Sequence, residues 1–404
     1  MTSSASPRPA ASTGLVPAGQ RAALVIDLDA IADNVSRIDE VVGSAQVMAV
    51  VKADAYGHGL IPSARAARVG GATWLGVALL DEALDLRASG DTEPILAWLG
   101  VPGDKWAEAV TASVDLGISN LWQLDEIVPA AVASGRPARI HVKLDTGLSR
   151  NGVNPADLPA LIERVAQLQS DGLVDVVGAW SHFALADSPS SATIAQQIRV
   201  FDEGVEYARA HGVHPPLRHL ANSAATFALP QAHYELVRPG IAVYGLSPGG
   251  EVGAATELGI RPAMTLAARL AHAKRVPAGT GVSYGAEYVT TTEANLGLVP
   301  LGYADGIPRA AGNHGPLLGA GARRHIAGRV CMDQFVVDFG DADIQAGDEV
   351  VLFGAGDAPS ADDWAAVTGT INYEIVTRVG PRVPRRFVGT AGVSNSGGPS
   401  GAVD

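Results

Sequence analysis

Between residues 22 and 245, short apolar runs alternate with longer amphipathic ones. The apolar runs fall at 46–51, 74–78, 94–99, 114–118, 138–144, 174–180, 217–221 and 235–237. Each has the length and composition of a buried strand. Segments between them, such as 120–134 and 191–209, repeat apolar positions with helical period. Ser119 is placed to cap the first of these and Gly135 to stop it. Eight β units joined by helical crossovers predict a (β/α)8 TIM-type barrel over residues 21–247. A doubly wound open sheet is the competing arrangement. No Gly-x-Gly-x-x-Gly follows the first strand, which weakens its dinucleotide-binding form.

The texture changes after residue 248. Strand-like stretches at 264–276, 295–301, 324–330, 334–339 and 349–353 are separated by turns rich in glycine and proline, among them Pro277-Ala-Gly and Gly354-Ala-Gly. One or two short helices fit within 360–379. A mostly β C-terminal domain is expected over 248–389, with residues 21–28 available to pair with it. Residues 1–20, rich in Ser, Pro and Ala, and 390–404, rich in Gly and Ser, read as solvated tails.

Composition narrows the function classes. The chain has 404 residues, 47% of them hydrophobic, and a formal net charge of −13. A sizeable core is within reach, whereas nucleic acid and an acidic membrane surface are unfavourable partners. The single cysteine, Cys331, excludes a disulfide scaffold and a cysteine-rich zinc site. No metal is expected, and the reading is cytoplasmic. No apolar run is long enough to span a membrane, and the first residues lack the pattern of a secretory signal.

In a barrel, functional groups gather where strands end. Lys52 ends the first strand, Lys143 and Asp145 the fifth, and Arg238 the eighth. His182 follows the sixth strand, and Asn222 and Ser223 follow the seventh. A lysine on an apolar strand is costly to bury as an ammonium, and desolvation makes its amine a nucleophile suited to a Schiff base. Taken alone, Lys52 reads first as a strand-end lysine reaching solvent. The Tyr56-Gly-His-Gly59 that follows adds a hydroxyl and two glycines that let backbone approach a ligand.

The stretch Val51-Lys-Ala-Asp-Ala-Tyr-Gly-His-Gly59 resembles the pyridoxal-phosphate attachment signature of the bacterial alanine racemases. So do, in order, Lys143-Leu-Asp-Thr-Gly-Leu-Ser-Arg150, Ser181-His-Phe183, Asn222-Ser223, Arg238-Pro-Gly-Ile241, Ser283-Tyr-Gly285, Gly302-Tyr-Ala-Asp-Gly306, Cys331-Met-Asp333 and Tyr373-Glu374. The likeness runs from about residue 22 to 387 and leaves out only the tails.

The resemblance implies an isomerase that interconverts L- and D-alanine on pyridoxal 5'-phosphate by two bases, supplying D-alanine for peptidoglycan. Lys52 would bind the cofactor and serve as the base on one face. Tyr284, from the neighbouring subunit, would serve on the other, so a homodimer is required. Tyrosine, with an ordinary pKa of about 10, needs positive neighbours for this work. Arg238 would face the pyridine nitrogen and, being unable to release a proton readily, keep it unprotonated. That weakens the electron sink and favours plain proton return over transamination. Tyr56, Asn222, Ser223, Gly240, Ile241 and Tyr373 would hold the cofactor, chiefly its phosphate. A short helix expected at 223–229 would offer its N-terminus. His182 would touch the ring or steady Arg238. Arg150 would hold the substrate carboxylate or the phenolic oxygen. Tyr303 and Met332 would line the partner's substrate entry and favour a methyl side chain. Lys143 corresponds to a lysine often carbamylated in the family; its other reading is an ion pair with Asp145, one strand period away.

One departure stands out. The family usually has Met-Gly where this chain has Leu148-Ser149, so the backbone at 149 is expected not to need glycine. The rivals are an amino-acid decarboxylase on the same architecture, a racemase of broader specificity, and a non-catalytic pyridoxal-phosphate-binding barrel. Decarboxylases of that kind use a β-domain cysteine and a carboxylate at the pyridine nitrogen, where this chain has Tyr284 and Arg238. The non-catalytic barrels stop where this chain continues.

Overall fold

The computed structural model describes residues 13–392. The outer parts of the two expected tails, 1–12 and 393–404, lie outside the described residues. Two compact units divide the rest. One is an α/β unit of residues 31–55, 59–243 and 389–392. The other is a β-rich unit of residues 13–30, 56–58 and 244–388.

The first strand, β1 (Ala22–Asp27), belongs to the β-rich unit. The α/β unit carries β2 (Gln46–Val50), β3 (Trp74–Val77), β4 (Ile95–Ala97), β5 (Asp115–Ile118), β6 (Ala138–Lys143), β7 (Val174–Trp180), β8 (Leu217–His219) and β9 (Leu236–Val237). From β2 to β8 each strand pairs in parallel with the next. The last, β9, returns to the first, with Gln46 opposite Leu236 and Val47 opposite Val237. At the remaining seam the Arg238 N–H donates to Ala221 O at 2.8 Å, and Arg218 pairs with Glu235 at 2.6 Å. The sheet therefore closes as a barrel and is not an open doubly wound sheet. These strands read as nearly continuous apolar runs because both their faces are covered.

Helix ends follow local chemistry. The helix Leu121–Ser134 starts one residue later than expected, with Asn120 and not Ser119 at its cap. Gln123 Oε1 accepts the N–H groups of Ser119 (2.8 Å) and Asn120 (3.1 Å), and Gly135 ends the helix in the left-handed region. Ser191 caps Ala192–Ala210 through the Thr193 N–H. Inside the barrel, Met48, Trp74, Leu96, Val177 and Leu236 form a buried cluster.

In the β-rich unit β1 is followed by β10 (Met264–Arg269), β11 (His272–Val276), β12 (Gly281–Val282), β13 (Tyr288–Val289), β14 (Ala294–Val299), β15 (Pro316–Gly319), β16 (Ala322–Ala327), β17 (Phe335–Asp338), β18 (Glu349–Phe353) and β19 (Arg385–Val388). One sheet runs β11-β14-β17-β16-β15-β18-β10-β1-β19, and β12 and β13 form a separate hairpin. β1 pairs antiparallel with β10 and parallel with β19. The expected pairing of residues 21–28 with this unit is thus present, and residues 21–30, counted above within the barrel bounds, fall in the β-rich unit.

Two further expectations are corrected. The run 264–276 is two strands. At the break the Leu270 N–H goes to Asp348 O and the Ala271 N–H to Leu298 O, so the chain changes neighbours. The described end of the N-terminal tail is packed. Val16 is buried among Ala23, Val25, Ala267 and Val351, and the Thr13 N–H reaches Glu349 Oε2 at 2.7 Å.

Candidate active site

Lys52 lies one residue beyond β2, after Val51, half-buried and with Nζ 5.9 Å from the Trp98 ring. Desolvation lowers its pKa first, and Arg150 and Arg238 act the same way, while Glu82 opposes them. The next four residues, Ala53, Asp54, Ala55 and Tyr56, are all left-handed, with φ of 54, 53, 54 and 54°. Each such non-glycine residue costs about 1–2 kcal/mol, so the surroundings must impose the turn. The Ala55 N–H returns to Val51 O (2.8 Å), the Gly59 N–H to Asp54 O (2.9 Å) and the Leu60 N–H to Asp54 Oδ1 (2.8 Å). Glu82 takes the Ala53 N–H at 2.5 Å and, with its other oxygen, those of Ala78 (3.0 Å) and Leu79 (3.1 Å). Gly57 closes the turn. A Cβ there would lie 2.7 Å from Val376 O.

The remaining barrel residues sit on the same rim. Arg238 is buried; its Nη2 donates to Ser181 O (2.6 Å), and its Nη1 meets His219 Nδ1 (3.1 Å). Burial draws its pKa down to about 9. Lys143 is buried with Nζ 4.3 Å from the Trp180 ring, over which the Arg238 guanidinium also lies at 4.9 Å. Its pKa falls to about 7, through desolvation first and then Arg238 and Arg150. Asp145 does not close an ion pair with it. That carboxylate instead accepts the N–H groups of Gly147 (2.9 Å) and Ser149 (3.1 Å). Arg150 is exposed at the end of the same loop. His182 is half-buried, its pKa held well below the usual value by desolvation, Arg238 and Arg150. Ser149 departs from expectation. Its φ is +55°, in the region that favours glycine.

Ser223 and Gly240 come together. Ser223 Oγ accepts the N–H of Gly240 (2.8 Å) and of Ala242 (3.3 Å), which leaves its own O–H to donate. Ile241 is buried beside them. Asn222 Oδ1 caps the helix Ser223–Ala228 through the Ala225 N–H. In the β-rich unit Tyr56 lies 5.0 Å from Tyr244 and 6.1 Å from Tyr373, ring centre to ring centre. Burial raises the Tyr56 pKa, so its hydroxyl stays protonated.

Tyr284, Tyr303 and Met332 also share one place in that unit. Tyr284 sits between Ser283 (φ 62°) and Gly285 (φ 77°). Ser283 Oγ bonds Arg329 O at 2.8 Å and lies 3.5 Å from Cys331 Sγ; the Tyr303 N–H bonds Cys331 O at 3.0 Å. All three side chains are exposed, Tyr284 at 70%, Met332 at 54% and Tyr303 at 44%.

Residues outside the motifs also build the site. Glu82 sets the turn after Lys52. Trp98 and Trp180, their ring centres 5.7 Å apart, lie under Lys52 and Lys143 respectively. The one sequence signal for the buried partners of Arg238 is polarity on the inward face of a strand: Arg139, His141 and Lys143 alternate along β6.

A closed parallel barrel with a desolvated lysine among cationic groups at its strand ends, carried on one chain with a β-rich unit, is the architecture of a class of barrel enzymes. The comparisons narrow it. Residues 26–248 match the family model "Alanine racemase, N-terminal domain" and 263–387 match "Alanine racemase, C-terminal domain". An alanine racemase of Frankia casuarinae is 58% identical over 376 residues, 92% of this chain and 98% of that one. The solved alanine racemase of Streptomyces lavendulae superposes with a TM-score of 0.91 at 51% identity, covering 93% and 98%. That of Streptomyces coelicolor gives 0.90 at 53%, covering 92% and 98%. The chain belongs to the alanine racemase family, whose members are isomerases. Among the described residues no helix is long and apolar enough to cross a membrane.

Proposed function

We propose that this protein interconverts L- and D-alanine with pyridoxal 5'-phosphate, as a cytoplasmic homodimer that supplies D-alanine for peptidoglycan. The donor set fits that cofactor. Lys52 provides a desolvated amine and Ser223, whose oxygen accepts the Gly240 N–H, an O–H left to donate; Tyr56 and Tyr373 add hydroxyls and Ile241 a backbone N–H for a phosphate. Arg150 and His182 stand on the rim for the substrate carboxylate and the ring, with Asn222 beside Ser223.

Bound there, pyridoxal phosphate makes the α-proton of a linked amino acid acidic. Lys52, as a free amine, takes or returns that proton on one face. Tyr284 of the partner subunit serves the other face, and Arg150 and Arg238 supply the positive environment its phenol needs. Tyr303 and Met332 of the partner crowd the entry against side chains larger than methyl. The observation that carries the reading is Arg238. It is a buried group that can only donate, bonded to His219 and Ser181 O, where a decarboxylase would place a carboxylate.

The test is chiral chromatography of purified protein incubated separately with L-alanine, L-serine and larger L-amino acids, with pyridoxal phosphate added. D-alanine formed well ahead of the other D-isomers is the expected result. Several D-isomers at similar rates would replace alanine specificity with broad specificity. An accumulating amine with no D-isomer would overturn the proposal in favour of decarboxylation.

A further inference from the structure

Arg238 is the visible end of a chain of buried polar groups that runs down the barrel. His219 Nδ1 lies 3.1 Å from Arg238 Nη1, His219 Nε2 lies 2.9 Å from His141 Nδ1, and His141 Nε2 lies 3.1 Å from Asp115 Oδ2. Arg139 closes the far end, its Nε 2.6 Å from Asp115 Oδ1. Asp115, His141 and His219 are at most 1% exposed. Barrel interiors are ordinarily filled by branched apolar side chains, and burying polar groups there is costly. Room has been made for this chain. A Cβ on Gly178 would lie 2.5 Å from His141 Nδ1.

The chain has one polarity. A guanidinium only donates, so His219 Nδ1 must accept. His219 is neutral, since burial and Arg238 hold its pKa well below the usual value, and its single N–H is therefore on Nε2. That N–H donates to His141 Nδ1, so the His141 proton is on Nε2 and points at Asp115. The Asp115 carboxylate, kept ionised by His141 and Arg139 against the cost of its burial, thus sets the tautomer of two imidazoles.

We propose that Asp115 and His141 are positioning residues for Arg238: through His219 they present a fixed acceptor that holds the guanidinium in one plane, and so hold its donor towards the cofactor ring. The link to the ring rests on the function proposed above; the polarity of the chain does not.

The first test needs no variant. Ring ¹⁵N shifts of the holoenzyme's histidines at neutral pH should show His219 and His141 as neutral Nε2–H tautomers. An Nδ1–H tautomer on either, or a protonated His219, would overturn the proposal. The second test reads the reaction. In Asp115→Asn both carboxamide positions face donors, so the chain loses its anchor. The pyruvate released per racemisation, with the alanine amino group left on the cofactor, should rise roughly tenfold or more, the scale of one charged hydrogen bond. KM for alanine should stay put. His141→Leu should share the raised ratio. His141→Gln, whose amide can accept from His219 and donate to Asp115, should restore it. An unchanged ratio in Asp115→Asn, with only thermal stability reduced, would reduce Asp115 to a structural role. If the unmodified enzyme racemised nothing, the proposed function would fail, and the tautomers would still decide the chain.

Discussion

Glu82 Oε1 accepts the backbone N–H of Ala53, the residue after Lys52, at 2.5 Å, while its Oε2 holds Ala78 and Leu79. One carboxylate thus ties the loops after two neighbouring barrel strands and anchors a turn of left-handed residues that relaxes without it. Glu82→Ala should cost about 1.5–3 kcal/mol of stability, the range for a hydrogen bond to a charged group. It also removes the group that opposes the lowering of the Lys52 pKa. The pH profile for pyridoxal phosphate attachment to the apoenzyme should therefore move to lower pH. An unmoved profile would leave Glu82 a loop anchor only.

Lys143 makes stability pH-dependent. Its folded pKa of about 7 lies below the unfolded 10.5. Below pH 7 both states are protonated, and the fold carries the whole cost of a buried ammonium beside Arg238, Arg150 and Lys52, only partly offset by Asp145. Between 7 and 10.5 the unfolded chain binds more protons, so stability rises with pH. Lys52 and Arg238, also lowered, act in the same direction. Thermal midpoints of the apoenzyme in carbonate-free buffer should climb across this window, and less steeply in Lys143→Met. Equal slopes for the two proteins would show that Lys143 is not the group titrating.

The same amine is partly uncharged at neutral pH, which is what addition to CO2 requires. Intact mass under native conditions with bicarbonate should show a gain of one CO2, lost on acidification and absent in Lys143→Ala. A gain that survives in the variant would assign the carbamate elsewhere. The negative group so formed would stand beside Arg150 and steady it.

Ser149 occupies a conformation that glycine adopts freely, and its side chain has no part in the turn bonds, which use its N–H to Asp145. Relief of a left-handed residue is worth about 1–2 kcal/mol, and the extra freedom of an unfolded glycine returns roughly 0.5–1 of it. Ser149→Gly should therefore be neutral to about 1.5 kcal/mol more stable by denaturant titration, with Arg150 still in place and KM for alanine little changed. A loss of stability would mean that the serine hydroxyl makes up for the strain.

What the sequence discloses depends on how local the cause is. The eight barrel strands are legible within a residue or two, because a parallel strand buried on both faces is a bare apolar run. The residues gathered at the strand ends are legible from position alone. The left-handed turn is not, since Ala53-Asp-Ala-Tyr56 contains no glycine and owes its shape to Glu82, 29 residues from Ala53. The expected Lys143–Asp145 pair shares a strand face, but the turn amides compete for the carboxylate. The chain behind Arg238 joins Asp115, His141 and His219 across three strands, and beyond the polar alternation along β6 no spacing in the sequence announces it. Strands β12, β13 and β19 are too short or too polar to stand out.

Lys52 and Tyr284 belong to different units of the chain, and Tyr284 is 70% exposed. If each active site takes its lysine from one subunit and its tyrosine from the other, complementation follows. Lys52→Ala alone should neither bind pyridoxal phosphate covalently nor turn over in either direction. Tyr284→Phe alone should lose mainly proton abstraction from one enantiomer, read as unequal α-proton exchange of L- and D-alanine in D2O. A mixed dimer of the two variants has one site with both residues intact and one with neither. Refolding the two inactive proteins together should restore about half the activity per mixed dimer, whereas mixing them without subunit exchange should restore none. Mixed dimers that stay silent, with each parent dimer folded, would place Tyr284 in its own subunit's site; full racemisation by the Tyr284→Phe dimer alone would put it out of the reaction.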